Sequence, residues 1–304
     1  MSRGAWIGVF VGVIALGFML AVVAAVVTKG GGTTATSTAA QTVSSTETFE
    51  LPLALQRNTL ALAGHQGDTL VGLAARPGGP LEVVTLRGAT PMAQDDVKIS
   101  IDGKPAGTDS CGRACSRVSQ PVLDGRPRKV EVTAGATKLE FTLPRRLPPA
   151  GASAFARARR TMAALHSYHF TERLSSGRGA ILTRLDVQAP NRLRLSTNTG
   201  YRSVIIGDAR WDFIDRRWRR ASFPGLDVRE ALMWYDARTP RVLHRDANGD
   251  TELTAFSLEP VPSWFTLTVE PSGRVSQARM TAPSHFMVHR YSEFDRGPRI
   301  TPPR

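Results

Sequence analysis

Several groups of residues have types and spacings that could do chemistry. His285 and His289 lie four apart in "PSHFMVHRYSEF". On a helix that spacing would turn both imidazoles toward one metal ion. Cys111 and Cys115, in "SCGRACS", are the only cysteines, and they could close a disulfide or offer two thiolates to copper. The stretch "DANGD", residues 246–250, has the look of the start of a calcium loop. His166 and His169 stand close together, and Glu172, Asp186 and Asp212 are carboxylates that could serve acid–base work.

The elements that must hold these residues decide among the readings. Residues 285–294 alternate in character and sit among hairpin turns, which predicts a strand. Two residues four apart on a strand share a face but are separated by about 13 Å. No single ion spans that distance, so no metal site is expected here. Between the cysteines lies Arg113, which repels a cation, while Gly112 lets the short loop turn. A Cys111–Cys115 disulfide is therefore expected, with copper ligation as the weaker alternative. In "DANGD" the glycine is fourth rather than sixth, and Ser257 stands where the loop would need a bidentate glutamate. Asn248-Gly249 reads instead as a type I′ hairpin turn. The two histidines near 166 read as polar residues at a helix end, and the carboxylates cannot be paired from sequence. No nucleophile elbow, phosphate loop, zinc-protease motif or dinucleotide fingerprint occurs, so neither enzyme activity nor a cofactor is expected.

The chain opens on a run without charge, Ala5 to Thr28. At about 1.5 Å per residue it reaches roughly 36 Å, enough to cross a bilayer core of about 30 Å. No cysteine follows that could take a lipid. Residues 1–28 are therefore expected to be an uncleaved signal-anchor, placing the bulk of the chain outside the cytoplasm. Residues 29–46, rich in Gly, Ser, Thr and Ala, read as a flexible tether. The net charge is +13 and is carried mainly by arginine. Outside the cytoplasm this argues against nucleic acid and leaves an anionic lipid headgroup or genomic codon bias as its meaning. The densest patch, "DRRWRR" at 215–220, would alternate faces on a strand.

Residues 47–143 show about seven short strands broken by Gly- and Pro-containing turns, which predicts an immunoglobulin-like β-sandwich. "PRRLPPAG", residues 144–151, marks a boundary. Beyond it, residues 152–304 open on a helix, "SAFARARRTMAALHS", with Ser153 as candidate N-cap. Strands follow, interrupted by the helical piece "LDVREALMWYD". Apolar residues recur along these strands: Phe170, Leu185, Leu193, Val204, Trp211, Phe213, Phe265, Leu267, Met280 and Met287. With little helix to cover so wide a sheet, these ten are the candidate lining of an apolar cavity. A plainly packed core is the alternative.

The segments "ALHSYHFTERLSS", "VQAPNRLRLSTNTG" and "SVIIGDARWDF", with the closing meander from "PSWFTLTVEPSG" onward, resemble the LolA-like family of bacterial lipoprotein and lipid carriers. The resemblance covers residues 152–304. It implies an unclosed antiparallel half-barrel capped by helices that binds acyl chains. The first module, with "GDTLVGLAARPGGPLEV" and "CGRACS", resembles the extracytoplasmic region of CopD-type copper-resistance proteins. It lacks an N-terminal His-x-His and a methionine cluster, so copper binding does not carry over. The sequence thus predicts a mainly β, membrane-anchored protein that binds a lipid or lipoprotein acyl chain, in transport or envelope sensing. A copper-homeostasis accessory and a ligand-free interaction scaffold are the alternatives.

Overall fold

A computed structural model describes residues 58–176, 179–258 and 261–304. The expected anchor, tether and first sandwich strand lie outside the described residues. Among the described residues no helix is long and apolar enough to cross a membrane.

The first module is built from short antiparallel strands. One sheet holds β1 (Leu60–Gln66), β2 (Thr69–Ala75), β3 (Leu81–Arg87), β4 (Thr90–Pro91), β7 (Asp109–Gly112) and β8 (Cys115–Val118), in the order β1-β2-β3-β8-β7 with β4 on β3. The other holds β5 (Val97–Ile101), β6 (Lys104–Pro105), β9 (Arg128–Ala134) and β10 (Thr137–Leu143), in the order β10-β9-β5-β6. Val71, Leu73, Val83, Ile99, Val130 and Val132 interlock between them as one core. The two-layer sandwich is as expected. Its strand order is not that of an immunoglobulin domain, because β1, β2 and β3 run as a meander within one sheet. The β7–β8 hairpin, rich in Ser, Gly and Arg, carries no alternation that could have marked it, and the Cys111–Cys115 disulfide closes it with Cα atoms 5.1 Å apart.

Strand β2 is buried at every position. Val71, Leu73 and Ala75 join the sandwich core, and the alternate residues face a second, larger sheet. There Gly72 is needed for space. A Cβ at this position would stand 2.4 Å from the Trp264 ring. Two further contacts join the modules: Thr254 Oγ1 donates to the Ala61 carbonyl at 2.8 Å, and the His65 ring stacks on Phe286 at 3.7 Å. The described residues all belong to one compact unit.

The large sheet follows helix α1 (Ala152–Ala163). Its N-cap is Gly151, without a side-chain bond, so Ser153 does not cap it. The chain enters pinned to another strand, Gly151 N donating to the Pro240 carbonyl at 2.7 Å, and the first turn begins there. Phe155, Ala158 and Met162 form the buried stripe of α1. The strands are β11 (Ser167–Ser175), β12 (Ala180–Gln188), β13 (Arg192–Thr197), β14 (Arg202–Ile206), β15 (Ala209–Ile214) and β16 (Arg217–Ser222). After a crossing come β17 (Arg238–Arg245), β18 (Thr251–Ser257), β19 (Ser263–Val269), β20 (Val275–Ala282) and β21 (His285–Ser292). The order is β16-β15-β14-β13-β12-β11-β21-β20-β19-β18-β17, all antiparallel. Asn248 is not at positive φ, whereas Gly249 is at 86°. The β17–β18 turn is therefore not type I′; Asp246 Oδ1 instead accepts from the amides of Asn248 and Asp250, and Gly249 takes the left-handed place.

The connection from β16 to β17 joins the two edges of the sheet and so has to cross one face of it. It contains a 3-10 turn at Val228–Ala231 rather than the longer helical piece expected. Flat, ten inter-strand spacings would measure roughly 48 Å. With its middle residues wound in tight turns, this strap reaches only roughly 40 Å. The sheet has to curl toward the strap for the chain to connect, which gives the strap face a concave form.

Candidate functional site

Pairing register settles which side chains share the strap face. On β11 they are Tyr168, Phe170, Glu172 and Leu174, opposite Val187, Leu185, Thr183 and Ile181 of β12. Leu193 and Leu195 of β13 and Ile205 of β14 continue the face to one side. Tyr291, His289 and Met287 of β21, Ala278 and Met280 of β20, and Phe265 and Leu267 of β19 continue it to the other. Phe170, Leu193 and Leu267 are 2%, 1% and 0% exposed, so water is excluded from the middle of the face, while Ile181, Met280 and Met287 are half-buried at one end of it.

The strap and α1 close this face. Trp234 is fully buried, its ring edge-on to Phe155 at 5.7 Å, and its Nε1 donates to the Tyr291 hydroxyl at 3.3 Å. The Tyr168 hydroxyl donates to the Val228 carbonyl at 3.2 Å, tying the strap to β11. The Val275 amide lies 3.5 Å from Met162 Sδ, tying α1 to β20.

One polar chain runs through this apolar surface. His289 Nδ1 is 3.1 Å from the Tyr291 hydroxyl, and His289 Nε2 is 2.8 Å from Glu172 Oε2. Thr183 Oγ1 donates to Glu172 Oε1 at 3.4 Å. A neutral imidazole satisfies the set: Trp234 donates to Tyr291, Tyr291 to Nδ1, and Nε2–H to Glu172. Burial pushes the Tyr291 and Tyr168 phenols well above their ordinary range, so both stay protonated. Within this set of side chains every donor has an acceptor. They also answer the question of the two histidines on β21, since His289 has a carboxylate partner and His285 Nδ1 lies 3.1 Å from the Pro283 carbonyl.

Seven of the ten expected lining residues lie together on the strap face: Phe170, Leu185, Leu193, Phe265, Leu267, Met280 and Met287. The other three do not. Val204, Trp211 and Phe213 belong to the opposite face, where Phe213 packs edge-on against Trp218 and carries the Arg202 guanidinium at 3.6 Å. The strap-face positions of β15 are Arg210 and Asp212, paired at 2.8 Å, with the Tyr201 hydroxyl donating to Asp212 at 2.6 Å. Alternation in "ARWDFI" cannot choose between the faces; the hairpin register does. The polar chain was equally hidden, because Glu172 and His289 are 117 residues apart and meet only through β11–β21 pairing.

The opposite face carries a groove of about 570 Å³, walled by Arg184, Arg194, Arg202 and Trp218 and by the terminal residues Thr301–Arg304. The remaining expected carboxylates also have partners. Asp186 Oδ1 lies 2.9 Å from His169 Nδ1 beside this groove. Among the described residues no group of three or more His, Cys, Asp or Glu is placed to hold a metal ion.

No protein-family model and no curated protein matches the chain. Among solved structures it is similar to LprF from Mycobacterium bovis, with TM-score 0.38 and 11% identity over 51% of this chain and 99% of that one. It is similar also to the Mycobacterium tuberculosis lipoprotein LppX, with TM-score 0.36 and 15% identity over 49% and 99%.

Proposed function

We propose that the chain is a membrane-anchored, extracytoplasmic binding protein that holds a lipid or lipoprotein acyl chain between the curled sheet and the strap. The observation that carries this reading is the apolar face spanning β11–β14 and β18–β21, largely buried but with Ile181, Met280 and Met287 only half-buried, and bridged by one strap. A hydrocarbon chain is attracted to such a surface by about 25 cal/mol for each Å² removed from water. Binding it needs the strap to move, since the face is closed. The strap is well suited to that, being held to the sheet by the bonds at Tyr168 and Tyr291 rather than by strand pairing. Delivery and sensing both follow from such a site, and the anchor expected from residues 1–28 would keep the exchange at a membrane surface.

The copper reading is less favoured because Cys111 and Cys115 are bonded to each other and offer no thiolate. A photoactivatable fatty acid added to membranes carrying the full chain tests the proposal. Crosslinks should map to β11–β13 and β19–β21, and unlabelled fatty acid should compete with them. Labelling confined to residues 1–28, or insensitive to competitor, would leave a ligand-free interaction scaffold as the better account.

A further inference from the structure

Some arginines among the described residues have carboxylate partners, although many others do not. Arg128 bonds Asp102 and Asp124, Arg117 and Arg76 share Glu82, Arg210 bonds Asp212, Arg219 bonds Asp215 and Arg229 bonds Asp227. Arg184, Arg194 and Arg202 are among the others. Among the described residues none of the three has an ion pair, yet all wall the same groove on the outer face of the sheet.

Their convergence follows from register. Arg184 pairs with Ser196, and Ser196 pairs with Arg202, which sets one row across β12, β13 and β14. Arg194 lies two residues from Ser196 on the same face. The three Cα atoms therefore form a triangle with sides of roughly 8–10 Å. Arginine side chains reach a common point from such a triangle. One carboxylate, Asp186, also lines the groove; it is opposite Arg194 in register and bonds His169.

The groove has walls as well as charge. The Arg202 guanidinium stands 3.6 Å from the Phe213 ring centroid and 5.8 Å from that of Trp218, which hold it by cation–π attraction. On the other side the terminal residues are pinned in place. Ile300 is fully buried, its amide donates to Gln188 Oε1 at 3.1 Å, and its carbonyl accepts from Arg192 Nη1 at 2.6 Å. The three guanidiniums outnumber the one side-chain carboxylate in the groove lining, Asp186, so the groove keeps a positive charge that attracts an anion. Guanidiniums bind phosphate oxygens through paired N–H donors, and a groove of about 570 Å³ admits a phosphate with a small organic group attached.

We propose that this groove is a second binding site, for the phosphate of a phosphate ester, with Arg184, Arg194 and Arg202 as its ligands. It lies on the face away from the strap and stands or falls independently of what the apolar face holds. The phosphate could come from a phospholipid headgroup or from a soluble ester, and two probes separate these.

The test is calorimetric titration of the full chain in an uncharged detergent, first with glycerol 3-phosphate and then with short-chain phosphatidylglycerol. Glycerol 3-phosphate should bind saturably and should weaken as salt rises. Arg184→Gln/Arg202→Gln should weaken it at least tenfold, Arg194→Gln should do the same, and Arg245→Gln should leave it unchanged. All of these arginines except Arg194 are exposed, so circular dichroism melting should show the variants folded. Tighter binding of the lipid, competitive with glycerol 3-phosphate and lost in the same variants, assigns the headgroup; equal affinity assigns the soluble ester. Absence of binding by the folded wild type, or binding indifferent to all three arginines, overturns the proposal.

Discussion

Replacing Trp234 with alanine removes the residue that holds the strap to the sheet. The indole is fully buried, meets Phe155 edge-on and donates to the Tyr291 hydroxyl. Truncating a buried tryptophan costs about 3–5 kcal/mol in lost transfer energy and cavity. The Tyr291 hydroxyl keeps its bond to His289, so the lost donor adds little. For a cooperative unit of this size, each kcal/mol lowers the melting temperature by about 2–4 °C. A fall of roughly 6–20 °C is expected, read by circular dichroism. Emission should also lose part of its blue-shifted component, the buried Trp264 keeping the rest, and ligand exchange should accelerate because the strap is released. Trp234→Phe keeps an aromatic ring beside Phe155 but gives up the hydrogen bond and part of the buried indole, so its loss should be smaller, about 1–3 kcal/mol. A melting point within 2 °C of wild type for Trp234→Ala would show that the strap is not anchored there, and the argument for a closed apolar face would go with it.

Other outcomes follow from the same contacts. Gly72→Ala brings a methyl against the Trp264 ring, and overpacking of this kind should cost about 1–3 kcal/mol, measured by chemical denaturation. Cys111→Ser/Cys115→Ser should lose only about 1–3 kcal/mol, because the closed loop is short, and mass spectrometry of wild type purified without reductant should show both cysteines oxidised. The phenols of Tyr168 and Tyr291 are raised above the ordinary 10.0, so the stability they contribute is fully present below that pH and is lost above it as they ionise. Tyr291→Phe should therefore shed less stability than wild type between about pH 10 and 12, followed by melting temperature. If the two curves run parallel, that phenol is not buried as described.

Much of the architecture could be read from the residues alone, for identifiable reasons. The strand-rich character of the large sheet was expected, because turns such as Pro271–Gly273 punctuate runs of β-branched and aromatic residues. The disulfide followed from two cysteines four apart around Gly112. What could not be read is set by pairing between distant strands. Trp211 and Phe213 alternate with Arg210 and Asp212, and nothing local tells which pair faces inward. The inward pair is the charged one, stabilised by Tyr201. Gly72 likewise reads as a flaw in a strand until the Trp264 ring is found against it. The three groove arginines belong to separate strands and converge only after β12, β13 and β14 have been laid side by side.

The account turns on whether hydrocarbon occupies the strap face. Native mass spectrometry of the full chain, purified in uncharged detergent, measures that directly. The account predicts a folded protein carrying one further mass, removed by organic extraction and identified in the extract as an acyl lipid. A folded protein at its bare sequence mass, with no acyl lipid in the extract, would contradict it.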